Sequence, residues 1–256
     1  MNPSVLVTGA ASGTGYAIAR RFAQEGYDVI LTSRDSARAR EAALQLSRSQ
    51  PHGRIFGYGL PAPDEGPVIE LFERLRGDGI LLDAVVLNAA NLGIGMDALT
   101  VSMEEFMAVF QTNIGWNFAI ARQAALMMKE KGGGAIVFIT SNTAYRAIPD
   151  RCAYGASKSG ILGLSRALAV DWGKYGIRCN CVLPGMIKTV RWQNNVNDCR
   201  NAPSNYTPLG DIAEFDDIAN AAWYLGSQES RNTTGAELTV DGGNTVQLYP
   251  IVPQRP

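Results

Sequence analysis

The chain has 256 residues, 46% of them hydrophobic, with a formal net charge of −1. That length and apolar share suit one sizeable core without a Pro-, Gly- or Ser-rich linker, and the near-zero charge carries no footprint of a nucleic-acid or anionic-membrane binder. Its single histidine, His52, lies in a Pro-His-Gly loop, and its four cysteines, Cys152, Cys179, Cys181 and Cys199, lack C-x-x-C spacing, so acid–base chemistry falls to carboxylates, lysine or tyrosine and no metal site is expected.

The start of the chain runs directly into a short strand, which is unlike a signal peptide, and no apolar run reaches the length of a membrane span. A cytoplasmic protein with reduced cysteines is the expectation. Ser4 to Thr8 reads as a strand buried on both faces, followed by T-G-A-A-S-G-T-G and an amphipathic helix from Tyr16 to Gln24. Strand, glycine turn and helix together form the setting of a dinucleotide fingerprint. Gly9, Ser12, Gly13, Thr14 and Gly15 are candidates to bring a pyrophosphate against backbone N–H groups at the helix start.

Asp28 to Thr32 is the second strand, and the residue at its tip should meet the adenosine ribose. That position is Ser33, followed by Arg34, which favours NADP(H) because a 2′-phosphate requires the absence of a carboxylate and rewards a guanidinium. Asp35 keeps NAD(H) open, since a slip of register would bring its carboxylate nearer the ribose, and the lesser alternative for Arg34 is a solvated loop charge. A helix over Ser36 to Ser49, a strand over Arg54 to Tyr58, a proline-rich loop and a helix from Asp64 to about Arg76 follow. Leu82 to Leu87 is the next strand, ending in Asn88-Ala89-Ala90-Asn91.

A loop over Leu92 to Thr100 leads to a long helical stretch, Ser102 to Lys129. Within it Asn113 either exposes a carbonyl or holds a water, or else it makes a satisfied polar contact between helices. Ala135 to Thr140 is a strand that delivers Ser141. Tyr154 and Lys158, four apart on one helical face, form the candidate acid–base pair. An ammonium beside a phenol favours the phenolate, and bringing a tyrosine from about 10 towards 7 takes roughly 4 kcal/mol. By itself Y-x-x-x-K is no more than a common surface pair; its partners in the chain raise it above that.

Ile177 to Leu183 is a sixth strand, after which Pro184-Gly185 opens an irregular stretch, Met186 to Gly210, that fits a lid over a ligand. Glu214 to Leu225 is the last helix and Ala236 to Val240 the last strand. The apolar tail from Gly242 is expected to pack on a neighbouring subunit.

With these elements in place the chain resembles the short-chain dehydrogenase/reductase family over essentially its whole length. Thr8-Gly9-x3-Gly13-x-Gly15 is similar to that family's cofactor turn, and Asn113, Ser141, Tyr154 and Lys158 match its catalytic tetrad in order and spacing. Pro184-Gly185, with Ile187 and Thr189, matches the segment that clasps the nicotinamide amide, and Asp241-Gly242-Gly243 the exit from the final strand. The resemblance implies an α/β fold with a single Rossmann-type, doubly wound parallel sheet of about seven strands flanked by helices, spanning residues 1–241, and a homotetramer or homodimer.

It also implies hydride transfer between the nicotinamide and a carbonyl or secondary alcohol. Tyr154 would exchange the proton, Ser141 polarise the substrate oxygen, Lys158 hold the nicotinamide ribose, and Asn113 keep a relay water. Two departures bear on the adenosine: Ala90 stands where the family has glycine, and Gly59, before Leu60, replaces the usual aspartate. Ser12 stands where many NADP(H) members are basic, leaving Arg34 alone to hold the phosphate.

For the substrate, Asn142, Tyr145 and Arg146 beside the serine, with Arg191 and Trp192 in a polar lid, suit a small hydroxylated or anionic molecule, unless the lid faces only water. The alternatives are a reductase of 3-oxoacyl or apolar ketone substrates, and a cofactor-sensing regulator without turnover.

Overall fold

A computed structural model describes residues 2–50, 53–189 and 205–249. Among them, seven strands form one sheet in the order β3-β2-β1-β4-β5-β6-β7, parallel throughout. The strands are β1 (Ser4–Val7), β2 (Asp28–Ser33), β3 (Ile55–Gly59), β4 (Ala84–Leu87), β5 (Gly134–Ile139), β6 (Ile177–Pro184) and β7 (Glu237–Val240). The helices are α1 (Gly13–Gln24), α2 (Ser36–Ser49), α3 (Gly66–Gly77), α4 (Met103–Phe110), α5 (Asn117–Lys131), α6 (Cys152–Gly173) and α7 (Phe215–Gly226). The expected doubly wound parallel sheet is therefore the fold.

The central strands are apolar on both sides, and their pleat sends alternate residues into two cores. Leu6, Val85, Ile136 and Phe138 pack with α3, α5 and α6. Val5, Val7, Val86 and Val137 pack with α1, α2 and α7. No helix among the described residues is long and apolar enough to cross a membrane.

Most element boundaries shift by a residue or more from the sequence reading, and three of the differences stand out. β4 begins at Ala84. α3 begins at Gly66, because the Asp64 carboxylate accepts from the Gly66 N–H at 3.0 Å and occupies the turn before it. The long helix expected from Ser102 to Lys129 is interrupted by a π-helical turn over Gln111–Trp116, which holds Asn113. Wide turns of this kind are frequent at functional positions, since they release backbone carbonyls from the regular ladder.

Candidate active site

The order of strands reverses between β1 and β4, which opens a crevice at their carboxyl ends. Thr8, which is buried, and Asn88, which is half-buried, tie those ends together. The Thr8 hydroxyl accepts from the N–H groups of Asn88 and Ala89 at 2.9 and 3.0 Å, while Asn88 Nδ2 donates to the carbonyls of Thr8 and Gly9 at 3.0 and 3.3 Å. The Asn88 amide is thus spent on holding the glycine turn. Within that turn a Cβ on Gly15 would lie 2.4 Å from the Gly9 carbonyl oxygen, so only glycine lets α1 start this close to β1. Ser12 precedes the helix without capping it, and the N–H groups of the first turn, Gly13 to Gly15, are left for a ligand. An uncapped helix start over a glycine cradle fits a pyrophosphate.

The crevice has a volume of about 890 Å³; Gly9, Ser12, Leu60, Asn88, Ala89 and Ala90 are in its wall. At its far end stand Ser33, Arg34 and Arg38. Arg38 is a second guanidinium that the strand-tip rule passes over, because it comes from the first turn of α2; its spacing of four from Arg34 was the available signal. Asp35 is a helix cap in this geometry. Ser33 closes β2 in register with Gly59, and the Asp35 carboxylate caps α2 by accepting from the N–H groups of Ala37 and Arg38 at 2.8 and 3.3 Å. Gly59 also gains a reason: a Cβ there would lie 2.8 Å from Ser36 Cβ, so the close approach of β3 and α2 excludes the usual aspartate.

At the other end of the crevice, Gly93 lies against Tyr154, with 3.5 Å from its ideal Cβ position to the Tyr154 Cβ. Tyr154 and Lys158 are both on α6, and the lysine Nζ is 5.6 Å from the tyrosine ring centroid. Ser141 follows β5 and opens a short turn; the Thr143 N–H donates to its hydroxyl oxygen at 3.1 Å, which leaves the hydroxyl hydrogen available.

The Asn113 side chain is fully used. Its Oδ1 accepts from the Asn91 N–H at 2.7 Å, and its Nδ2 donates to the Asn91 carbonyl and to Ser157 Oγ, each at 2.9 Å. Ser157 in turn donates to the Tyr154 carbonyl at 2.8 Å. Asn113 is therefore a clamp joining the β4 exit to the helix of Tyr154, through Asn91 and Ser157, two residues the sequence did not single out.

The expected depression of Tyr154 by Lys158 is absent. Burial pushes the phenol above 10, and the opposing pulls come from the Ser141 hydroxyl and the charge of Arg151. Lys158 is itself buried, donates from Nζ to the Ile139 carbonyl at 2.8 Å, and is pushed down to about 8 by desolvation. It loses its charge before the phenol would ionise.

The residues named for the substrate have partners within the chain. Asn142 Nδ2 donates to Asn244 Oδ1 at 2.9 Å, the Tyr145 hydroxyl meets Glu237, and Arg146 donates to the carbonyls of Asn244 and Gln247. Pro184 ends β6, the Gly185 N–H donates to the Val240 carbonyl, Ile187 bridges to Ala213, and the Thr189 N–H donates to the Ile187 carbonyl. Arg191, Trp192 and most of the lid lie outside the described residues, as does the tail from Pro250. In the described part of the tail, Val246, Leu248 and Tyr249 are exposed.

A family model described as enoyl-(acyl carrier protein) reductase matches residues 9–245. The chain is similar to a 3-oxoacyl-[acyl-carrier-protein] reductase of Chlamydia trachomatis, 32% identical over 246 residues, 95% of this chain and 97% of the relative. An L-rhamnose 1-dehydrogenase (NAD(P)(+)) of Azotobacter vinelandii is 33% identical over 256 residues, 97% and 98% of the two chains. Among solved structures, levodione reductase superposes with a TM-score of 0.86 at 26% identity, covering 95% of this chain and 98% of that one. These relatives, with the seven-stranded parallel sheet, establish that the chain belongs to the short-chain dehydrogenase/reductase family and is an oxidoreductase acting on alcohol or carbonyl groups.

Proposed function

We propose that this oxidoreductase uses NADP(H), with Tyr154 as general acid/base, to interconvert a carbonyl and a secondary alcohol on a small hydroxylated or anionic substrate. The observation that carries the reading is a single crevice with two guanidinium groups, Arg34 and Arg38, at one end and Gly93, against the Tyr154 helix, at the other. Bound there, the dinucleotide supplies or accepts the hydride. Gly9 and the turn from Ser12 to Gly15 would hold its pyrophosphate, Arg34 and Arg38 its 2′-phosphate, Leu60, Ala89 and Ala90 its adenosine, and Lys158 with the segment Pro184 to Thr189 its nicotinamide side.

Tyr154 gives its proton to the substrate oxygen in reduction and takes it back in oxidation. A phenol held above 10 is stored protonated at neutral pH, which suits donation. Ser141, with its own hydrogen available, donates to the same oxygen and polarises the carbonyl. The exposed apolar surfaces of Leu99, Met103, Val170 and Val246 support assembly into a homotetramer or homodimer.

A second reading, reduction of a 3-oxoacyl or apolar ketone, is favoured by exposed Leu92 and Ile94, which flank Gly93 in the crevice wall. Absorbance of the reduced nicotinamide, with NADPH and NADH in parallel against panels of polar and apolar carbonyls and alcohols, separates the two. Turnover with NADPH on polar compounds is expected, and a preference for apolar ketones would select the second reading. Tyr154→Phe should bind NADPH as the wild type does and show no turnover; undiminished activity would sink the assignment of Tyr154.

A further inference from the structure

β2 and β3 finish side by side, with Ser33 opposite Gly59, and the Leu60 N–H extends their ladder by donating to the Ser33 carbonyl at 2.7 Å. These bonds set the wall of the crevice next to Arg34 and Arg38. Gly59 has no room for a side chain, since a Cβ there would lie 2.8 Å from Ser36 Cβ, and Leu60 is buried with its N–H engaged in the ladder. Of the residues that follow, Pro61 and Pro63 have no N–H, and the side chain that Ala62 adds to the wall is a methyl group. Ala89, Ala90 and Trp116 join that wall. The indole nitrogen of Trp116 is itself buried, so this residue too presents carbon to the crevice.

The carboxylates nearest in the chain are engaged elsewhere. Asp35 caps α2, Asp64 accepts from the Gly66 N–H, and Glu65 pairs with Arg122; none of the three lines the crevice. Of the two amides in the wall, Asn88 donates to the Thr8 and Gly9 carbonyls and Asn91 accepts from the Gly93 N–H at 3.1 Å. Ser12 belongs to the glycine turn, which leaves Arg34, Arg38 and the hydroxyls of Thr32, Ser33 and Thr112 among the described residues of the wall. A guanidinium is a donor only and matches the 2′-phosphate, whereas a hydroxyl turns to donate or to accept.

We propose that this crevice leaves the hydrogen-bonding edge of the cofactor's base unread, so that a 2′-phosphorylated dinucleotide with hypoxanthine in place of adenine is taken as well as NADPH. The inference rests on the NADP(H) reading above, and it widens the cofactor class to 2′-phosphorylated purine dinucleotides. An adenine edge sets an amine donor beside a ring-nitrogen acceptor, and a hypoxanthine edge reverses both, with a carbonyl acceptor beside a ring N–H donor. Alkyl groups are indifferent to that reversal, and a hydroxyl follows it by rotating. A carboxylate or a fixed backbone group would favour one base and be left facing a like group with the other.

The test is isothermal titration calorimetry of the full chain, free of substrate, with NADPH, its hypoxanthine analogue and NADH. The hypoxanthine analogue should bind within roughly threefold of NADPH, since a site that hydrogen-bonds the edge would lose well over about tenfold when donor and acceptor are exchanged. NADH should bind at least about tenfold more weakly than NADPH, for want of the charge-assisted bonds to the 2′-phosphate.

A loss larger than roughly threefold with the hypoxanthine analogue overturns the proposal, because some group of the wall then reads the edge. That result leaves the NADP(H) reading standing, which depends on the comparison with NADH. Equal binding of NADPH and NADH overturns the NADP(H) reading instead, and the two bases are still compared between NADPH and its analogue. Failure of NADPH to bind overturns both. No turnover enters the measurement, so the outcome is independent of which substrate the enzyme takes.

Discussion

Replacing Asn113 by alanine tests whether this residue is a clamp or a holder of water. The substitution deletes bonds of 2.7, 2.9 and 2.9 Å to Asn91 and Ser157, and leaves the Asn91 N–H and carbonyl without their partner. At about 1 kcal/mol net per bond, the loss is about 3 kcal/mol, and removal of a fully buried side chain adds to it. Against a total of about 5–15 kcal/mol for a domain, that is a large fraction. Asn113→Asp retains the acceptor for the Asn91 N–H but places an oxygen against the Asn91 carbonyl, so its cost should approach that of alanine. Urea unfolding of wild type and both variants reads the difference as a shift in midpoint at constant slope. Turnover should fall along with stability, because the Gly93 loop and Tyr154 lose their common anchor. A loss of stability below about 1 kcal/mol in Asn113→Ala, with turnover still abolished, would refute the clamp and favour a relay role for this position.

The paired guanidinium groups predict cofactor selectivity. Arg34→Ala and Arg38→Ala should each raise the KM for NADPH roughly tenfold, the size of one charge-assisted hydrogen bond, and leave the KM for NADH unchanged. Steady-state kinetics with both cofactors decides this, and an unmoved NADPH KM in either variant removes that residue from the phosphate site. Lys158 predicts a pH dependence of stability. Its folded value of about 8 lies below the 10.5 of the unfolded chain, so the unfolded state binds the extra proton between them and stability rises with pH across that window. Below about 8 the buried charge costs about 3 kcal/mol, so Lys158→Met should be more stable than wild type at neutral pH, by an amount that shrinks towards pH 10.5. Thermal unfolding across that range, showing a constant difference between the two proteins, would contradict the assignment of a buried ammonium.

Much of this site was legible because its signals are local. A run such as Ser4 to Val7, apolar at every position, has no stable place except inside a parallel sheet, and glycine spacing in the turn that follows reports where backbone must approach backbone. The helical spacing of Tyr154 and Lys158 fixes their common face whatever surrounds them. By itself, then, the sequence determined the alternation of strands and helices, the glycine turn before α1 and the common helical face of Tyr154 and Lys158.

Only the tertiary structure decided what each charge and amide does. Asp35 could be recognised as a helix cap once the register of β2 against β3 placed Ser33 beside Gly59. Asn113 met Asn91 and Ser157 through packing between elements distant in the chain, and the wall of the crevice took in Arg38 as well as Arg34. The sign of the Tyr154 shift lay furthest from the sequence. It depends on how deeply two neighbouring groups are desolvated and on which carbonyl an ammonium finds, and burial is a property of the whole fold and of no single stretch.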